Sequence, residues 1–292
     1  MPPRTSPSER QRRLGAELRK LRTRARMSGD DAAKLLDADR SRVSHIEAGR
    51  VDVPRNGLYK LLRAYECEEG PYFDALMAMA HDRGRGWWDE FTGVMARRAL
   101  DLAELESRST SVCIHEPTVI PGMLQTEDYA RAVISSVESD HRTLDEWVRF
   151  RMERQRALAD FGKYHAIVHE TALRVRVGDK KTMRKQLLKL IEVARLPHVT
   201  VQIFPFEKGP YSSHSGSFLL FGGLTPELDT LYREYTTSAD FTGDGNRIAE
   251  YARMFERLAA LALAPIDPSA APEVQESQDS LSLLQHVLYE LR

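Results

Sequence analysis

Two groups of side chains have the types and spacing of catalytic or metal-binding sets. His165 and His169 stand four apart with Glu170 adjacent. On a strand, residues i and i+4 share a face, so these imidazoles suit a metal pair. No third ligand stands in an obvious motif, and the adopted reading is that both histidines are hydrogen-bonded or exposed at a strand edge. Ser212, Ser213 and His214 lie between Gly209 and Gly216, where hydroxyls beside an imidazole suggest a nucleophile. No nucleophile elbow or defined acid partner accompanies them, and a loop between strands accounts for the run. Walker, dinucleotide and zinc patterns are absent, and Phe221-Gly-Gly-Leu224 fits a strand-ending turn better than a phosphate cradle. His115 and His198 are uninformative singly. Cys67 and Cys113 are too few for a disulfide framework. The expectation is a chain that is not an enzyme and has no metal site and no cofactor.

The charge distribution points elsewhere. The 292 residues carry 42 Lys and Arg against 43 Asp and Glu, a net charge of −1, yet residues 1–66 hold 16 against 9 and the remainder 26 against 34. The basic part is the expected polyanion contact. Arg149, Arg151, Arg154 and Arg156 crowd one later helical stretch with Phe150 and Met152 interleaved. Such a run is usually a solvated face, the alternatives being an acidic partner or a polyanion. No apolar run approaches the ~18 residues of a membrane span, and Met1 to Arg13 lacks the apolar core of a signal peptide. A cytoplasmic location follows as an expectation.

The basic region has to be positioned by short helices. Ser6, Pro7 and Glu9 fit a helix start with a capping box. Leu14, Leu18, Leu21 and Ala25 then form one stripe, with Arg and Lys on the other sides. Ser28, followed by Asp30 and Asp31, caps a second helix running to about Leu36. Asp39 caps a third, Arg40 to Ala48, with Val43 and Ile46 inward and Gly49 as terminator. Ala33 leaves room for these two helices to cross sharply. A fourth helix follows Pro54, with Leu58, Leu61, Leu62 and Tyr65 completing a small core.

The stretch Ser28-Gly-Asp-Asp-Ala-Ala-Lys-Leu-Leu36 followed by Arg40-Ser-Arg-Val-Ser-His-Ile-Glu-Ala-Gly-Arg50 strongly resembles the XRE family, relatives of the phage Cro and cI repressors, over roughly residues 10–66. The resemblance implies a lambda-repressor-like helix-turn-helix on double-stranded DNA, and hence a place at the nucleoid. It puts Arg40, Ser41, Ser44 and His45 at base-reading positions, Arg40 able to donate bidentately to guanine. It puts Ser28, Arg42, Arg50 and Arg55 at phosphates. It also implies an ion pair between Arg22 and Glu47. Three positions depart from the family pattern: Gly29 where Gln is frequent, Asp37 where Gly usually turns, and Ala48 where Asn is frequent.

A new apolar pattern starts at Trp87, Trp88 and Phe91 and is expected to run as one helix through Leu105. Before it, residues 71–86 read as a connecting helix and an Arg83 to Gly86 hinge. Strands are expected at Ser111 to His115, His165 to His169, Val199 to Phe204, Ser217 to Phe221 and Thr230 to Tyr235. Helices are expected at Thr126 to Val137, Leu144 to Phe161, Lys180 to Ala194, Gly245 to Leu263 and Leu281 to Leu291. The expected organisation is a DNA-binding domain over 8–70, the connection over 71–86, an α+β domain over 87–264, a linker over 265–280 and a terminal helix over 281–292. The fold class is therefore multidomain, all-α followed by α+β.

Gly86-Trp-Trp88, His115-Glu-Pro117, Val119-Ile-Pro-Gly-Met-Leu-Gln-Thr-Glu-Asp-Tyr-Ala-Arg131, Arg151-Met-Glu-Arg-Gln155 and Val201-Gln-Ile-Phe-Pro-Phe206 resemble a large actinobacterial class of regulators. That class joins an XRE domain to an antitoxin-like C-terminal domain of poorly defined activity and includes WhiJ-like regulators. The resemblance implies a repressor or bifunctional regulator whose larger domain binds a small protein encoded nearby. A homodimer on a palindromic operator is expected, since one helix reads only a few base pairs. The alternatives are an antitoxin-like interaction protein that neutralises its partner and a small-molecule-responsive regulator.

Overall fold

A computed structural model describes residues 3–82, 84–209, 216–235, 237–269 and 279–292. Contacts divide the chain into two units. The first comprises Met1–Thr92, Ala96–Leu105 and Leu224–Leu228, the second Gly93–Met95, Glu106–Gly223 and Asp229–Arg292. Residues 87–92 and 96–105, expected to open the second unit, thus group with the first.

The first unit is all-helical: α1 (Glu9–Arg24), α2 (Gly29–Leu35), α3 (Arg40–Glu47), α4 (Arg55–Ala64), α5 (Pro71–His81) and α6 (Arg97–Glu106), whose last residue belongs to the second unit. The first helix starts later than Ser6 and Glu9 suggest. Ser8 is the cap, its hydroxyl accepting from the Gln11 N–H at 3.3 Å while the Gln11 side chain accepts from the Ser8 N–H at 2.9 Å. Gln closes a capping box as well as Glu does. Leu18, Leu21, Val43, Ile46, Leu58, Leu61, Leu62 and Tyr65 form one core, to which α5 adds Phe73 and Leu76.

Two backbone positions set how closely α1 approaches α3. A Cβ on Gly15 would lie 2.4 Å from the Glu47 carbonyl oxygen, so α1 passes the end of α3 at backbone contact. Gly49, at φ +70°, stops α3 where a Cβ would lie 2.7 Å from the Gln11 carbonyl carbon. Asp37 meets the turn before α3 in the left-handed region, at φ 49°. Aspartate tolerates that region better than most residues, so the family's usual glycine is dispensable here.

The Trp-rich segment is not one helix with α6. Trp87–Phe91 is a short 3₁₀ turn, and Gly93, at φ +89°, separates it from α6. The Trp88 ring folds back over Gly86, where a Cβ would sit 2.3 Å from it, and its indole N–H donates to the Gly84 carbonyl at 3.3 Å. Gly84 itself lies against the Arg10 guanidinium. Gly84 and Gly86, expected in a hinge, are therefore pinned by side chains, while Arg83 lies outside the described residues.

The second unit is α+β. In chain order it has β1 (Ser111–Glu116), α7 (Glu127–Ser135), α8 (His141–Arg154), β2 (Lys163–His169), α9 (Glu170–Arg174), α10 (Lys180–Val193), β3 (Val199–Phe204), β4 (Phe218–Gly222), β5 (Thr230–Glu234), β6 (Ala239–Thr242), α11 (Gly245–Leu261) and α12 (Ser280–Glu290). The sheet order is β3-β2-β1-β4-β5-β6. The first three strands are parallel, and β4, β5 and β6 continue antiparallel. Helical crossovers cover the parallel half, which needs both faces buried. Ile167, Phe204, Phe218 and Leu231 pack on Phe255 and Leu258 of α11, and the alternating residues Val112, Ile114, Ala166, Val168 and Val201 are buried too.

The sequence pattern missed β6, a four-residue edge strand without a sustained apolar alternation. It also read residues 265–280 as a linker before a separate helix. Instead, Leu263 and Ile266 donate to the Ile203 and Val201 carbonyls at 2.9 Å each, and the Ser280 hydroxyl accepts from the Ile203 N–H at 2.9 Å. The chain thereby covers the β3 edge, a common protection against stray pairing. α12 then buries Leu281, Leu284, Val287 and Leu288. Residues 270–278 lie outside the described set.

Two of the five strings that carry the family resemblance, Val119–Arg131 and Arg151–Gln155, hold each other. Gln125 donates to the Ile120 carbonyl at 2.7 Å and accepts from Arg151 at 2.7 Å. Gln155 donates to the Gly122 and Gln125 carbonyls at 2.9 and 2.8 Å. Arg154 grips Glu106 with two hydrogen bonds of 2.8 and 2.6 Å, both side chains buried. Arg149 and Arg156 pair instead with Glu146 and Glu153 on the surface. The expected cationic face is therefore split, two arginines turned inward and two neutralised outside.

Glu116 lies beside this layer and accepts from the Ser217 hydroxyl at 2.7 Å. Burial pushes its carboxyl up to about 7. The folded value exceeds the unfolded one, so its contribution to stability is complete below pH ~4.5 and is lost as pH rises through about 7. Glu116→Gln should therefore leave the melting temperature nearly unchanged at pH 4 and raise it at pH 8, by an amount equivalent to roughly 1–3 kcal/mol. A pH-independent effect in thermal melts contradicts this.

Candidate nucleic-acid interface

The α2–α3 pair is built by its caps. The Ser28 hydroxyl accepts from the Asp31 N–H at 3.1 Å and donates to the Asp31 carboxylate at 2.6 Å, so this expected phosphate contact is engaged within its own helix start. Asp39 accepts from the Arg42 N–H at 2.8 Å and from the Ser41 hydroxyl at 2.8 Å. These two donors, the backbone one first, hold the Asp39 carboxyl below its ordinary range. Buried Ala32 and Ala33 let α2 cross α3 closely.

At about 100° per residue, Arg40, Ser44, Ala48, Ser41 and His45 fall in one sector of roughly 140° on α3 and its cap. Val43 and Ile46 lie away from that sector and are buried, and Glu47 flanks it next to Arg40 in the period. The structure thus brings the four expected base-reading residues together on one face, with Arg40, Ser41 and Ser44 exposed and His45 half-buried. Ala48 is exposed in the middle of that face and was not singled out as a reader. Its methyl has the chemistry to meet a thymine methyl, and its position in the period was the available signal.

Arg40 is the best placed of the set. Its stem lies over Gly29, whose missing Cβ would sit 3.5 Å from Arg40 Cγ. Its guanidinium is 3.6 Å from Asp30, and both side chains are well exposed. Gly29, the departure from the family's Gln, therefore leaves the room that the Arg40 stem occupies. An exposed pair of this kind is weak, about 0–1 kcal/mol, and yields readily to another acceptor.

Behind the face, Arg22 donates to Glu47 through Nε at 2.5 Å and Nη2 at 3.0 Å, and to the Met27 carbonyl at 2.8 Å. The two side chains are 16% and 11% exposed, so the bidentate pair is largely shielded from water. The hydrogen bond to Glu47 raises the Arg22 value, and burial pushes the neighbouring Tyr65 hydroxyl up to about 12. One fork thus joins α1, the α1–α2 turn and the end of α3.

The charge of the first unit is less basic than residues 1–66 alone imply. With the segments that fold onto it, the unit carries 20 Lys and Arg against 18 Asp and Glu. Arg10 pairs with Glu104 at 2.8 Å, Arg12 with Glu9 and Asp101 at 2.7 and 3.3 Å, and Arg13 with Glu17 at 2.9 Å. Most of the α1 cations are therefore structural. Arg42, Arg50 and Arg55 are exposed and make no ion pair among the described residues, so the available positive charge is local to α3 and its flanks.

The other candidate sets resolve into packing. His165 bonds Gln202 at 2.7 Å and meets Phe255 edge-on. His169 caps α9, Nδ1 accepting from the Thr171 N–H at 3.1 Å. Among the described residues no group of three or more His, Cys, Asp or Glu is placed to hold a metal. Ser212, Ser213 and His214 lie outside the described residues. No described helix is long and apolar enough to cross a membrane.

Arg22→Ala leaves Glu47 enclosed without its cation, and a loss of about 3–5 kcal/mol is expected. Arg22→Ala with Glu47→Ala should cost clearly less than the two single losses added. Denaturant unfolding of the full chain measures this, and strict additivity contradicts the coupling. Gly15→Ala should cost about 1–3 kcal/mol by forcing α1 off α3.

Two family models match separate stretches of the chain. A family model described as Helix-turn-helix domain matches residues 13–71, which supports a DNA-binding regulator, and one described as Domain of unknown function (DUF5753) matches residues 99–270. No curated protein and no solved structure matches. Because the second match spans more than half of the 292 residues, the chain belongs to the DUF5753 family, here joined to an N-terminal helix-turn-helix domain.

Proposed function

We propose that this protein is a sequence-specific transcriptional regulator of the phage-repressor (XRE) type, acting as a repressor. The observation that carries the reading is the outward sector of α3, which gathers Arg40, Ser41, Ser44 and His45 and is bordered by the Arg22–Glu47 fork. Inserted in the major groove, this sector presents donors and acceptors to base edges, Arg40 exchanging Asp30 for guanine O6 and N7. Arg42, Arg50 and Arg55 meet flanking phosphates, and Ser28 acts through the backbone its cap organises. Two copies on a palindrome, with half-sites about 34 Å apart, supply the length of site that one short helix lacks. Repression follows from occupying promoter DNA. The second unit binds a small partner protein that adjusts this occupancy.

A small-molecule-responsive regulator is the second reading, favoured by one observation. Arg151, half-buried and donating to Gln125 at 2.7 Å, makes no ion pair among the described residues, which leaves its charge for an anionic ligand.

The reading separates two classes of arginine. Arg40→Ala should cost about 1–3 kcal/mol on the selected duplex and relax preference at one base pair. Arg50→Ala should weaken selected and random duplexes alike and lower the salt dependence of binding by about one phosphate contact. Fluorescence anisotropy at several salt concentrations measures both. Equal losses on both duplexes for both variants contradict the assignment.

A further inference from the structure

Residues 174–189 of the second unit reverse the local charge. They hold Arg174, Arg176, Lys180, Lys181, Arg184, Lys185 and Lys189 against Asp179 alone, whereas the unit as a whole carries 22 Lys and Arg against 25 Asp and Glu. The helical period explains where these charges go. Met183, Gln186, Leu187, Leu190 and Val193 of α10 are buried, which leaves Lys180, Arg184 and Leu188 as one outward stripe with Lys181 and Lys185 beside it.

The end of α12 adjoins this stripe. Arg174 bonds Glu290 at 2.9 Å, and Lys180 donates to the Arg292 carbonyl at 3.3 Å. Tyr289, next to Glu290, is 66% exposed, with Arg292 over its ring at 5.0 Å. Leu188 and Val175 are 46% and 42% exposed. Lys185 and Lys189 are partly neutralised by Asp128 and Glu192. Arg176, Lys181 and Arg184 are exposed and make no ion pair among the described residues. Exposed cations that make no ion pair among the described residues thus share α10, the end of α12 and the segment before α10 with a leucine, a valine and a tyrosine that remain in water.

A face that only met phosphates would need no apolar centre, since phosphate contacts come from cations, hydroxyls and N–H groups. Apolar and aromatic side chains within a charged rim are the composition of a protein interface. We propose that this α10–α12 face docks an acidic partner protein, one that presents carboxylates around an apolar side chain. The proposal rests on the partner-binding part of the reading above and names the surface and the partner's chemistry. Lys181 and Arg184 steer and orient the partner, and Leu188 with Tyr289 supplies the contact that excludes water.

The test uses the full chain and a labelled amphipathic peptide of about 20 residues, with Glu and Asp on one face and Leu and Phe on the other. Poly-L-glutamate and a random-sequence duplex serve as comparison ligands. Lys181→Glu with Arg184→Glu should weaken peptide binding about tenfold or more, and Leu188→Ser several-fold. Arg257→Glu, an exposed charge reversal on α11, should leave it unchanged. Poly-L-glutamate should bind more weakly than the peptide, and duplex binding should be the same for every variant. Circular dichroism melts check that the substituted chains fold.

Peptide binding that survives the double reversal overturns the proposal. So does poly-L-glutamate binding as tightly as the peptide, which makes the face a reader of charge alone. Duplex affinity falling in parallel assigns the face to nucleic acid and also overturns it. Failure of the unmodified chain to bind any duplex would instead count against the DNA-reading proposal and leave the peptide result standing.

Discussion

Helices of seven and eight residues, such as α2 and α3, are too short to persist alone in water. Their geometry has to be imposed by what they touch. Here the constraint is the contact of α1 with the end of α3, where Gly15 admits the Glu47 carbonyl and the Arg22 fork takes the Glu47 carboxylate. Backbone proximity and a shielded bidentate pair act on the same residue. Together they fix both the position of α3 and its rotation about its own axis. The rotation matters most, because turning a helix by one residue exchanges about 100° of surface and would replace the exposed polar residues by core ones.

The same economy of polar contacts organises the second unit. Arg154 and Glu106 form a buried pair, while Arg151, Gln125 and Gln155 join the segment after β1 to the end of α8. Removing one member would leave the others buried and unsatisfied, so the layer behaves as a unit. It explains why the Pro-Gly-Met-Leu-Gln-Thr and Arg-Met-Glu-Arg-Gln strings occur together: each supplies the other's hydrogen-bond partners.

Much of the fold was legible because it is written locally. Ser28 and Asp39 announce their helices by chemistry that operates within three residues, and β-branched runs placed Val199–Phe204 at its observed bounds. What stayed hidden depends on distant partners. Gly15 looks like an ordinary helix glycine until Glu47 is brought against it. The arginines of α1 look available to a polyanion until α6 supplies Asp101 and Glu104. The Arg149 to Arg156 run looks like a single charged face because sequence gives spacing without saying which sector meets the sheet. Of the candidate interface, the expected reading residues followed from resemblance and helical period, and the same period held Ala48, whereas the Asp30–Arg40–Gly29 arrangement required coordinates.

The central claim is that the outward sector of α3 reads base edges in the major groove. Methylation interference on a duplex selected by the full chain from a random library tests it directly, because dimethyl sulfate marks guanine N7 in the major groove and adenine N3 in the minor groove. The account predicts that binding is blocked by N7 methylation at one or two guanines in each half-site, with half-sites about one helical turn apart. Interference confined to adenine N3, or selection that enriches no sequence at all, would contradict it.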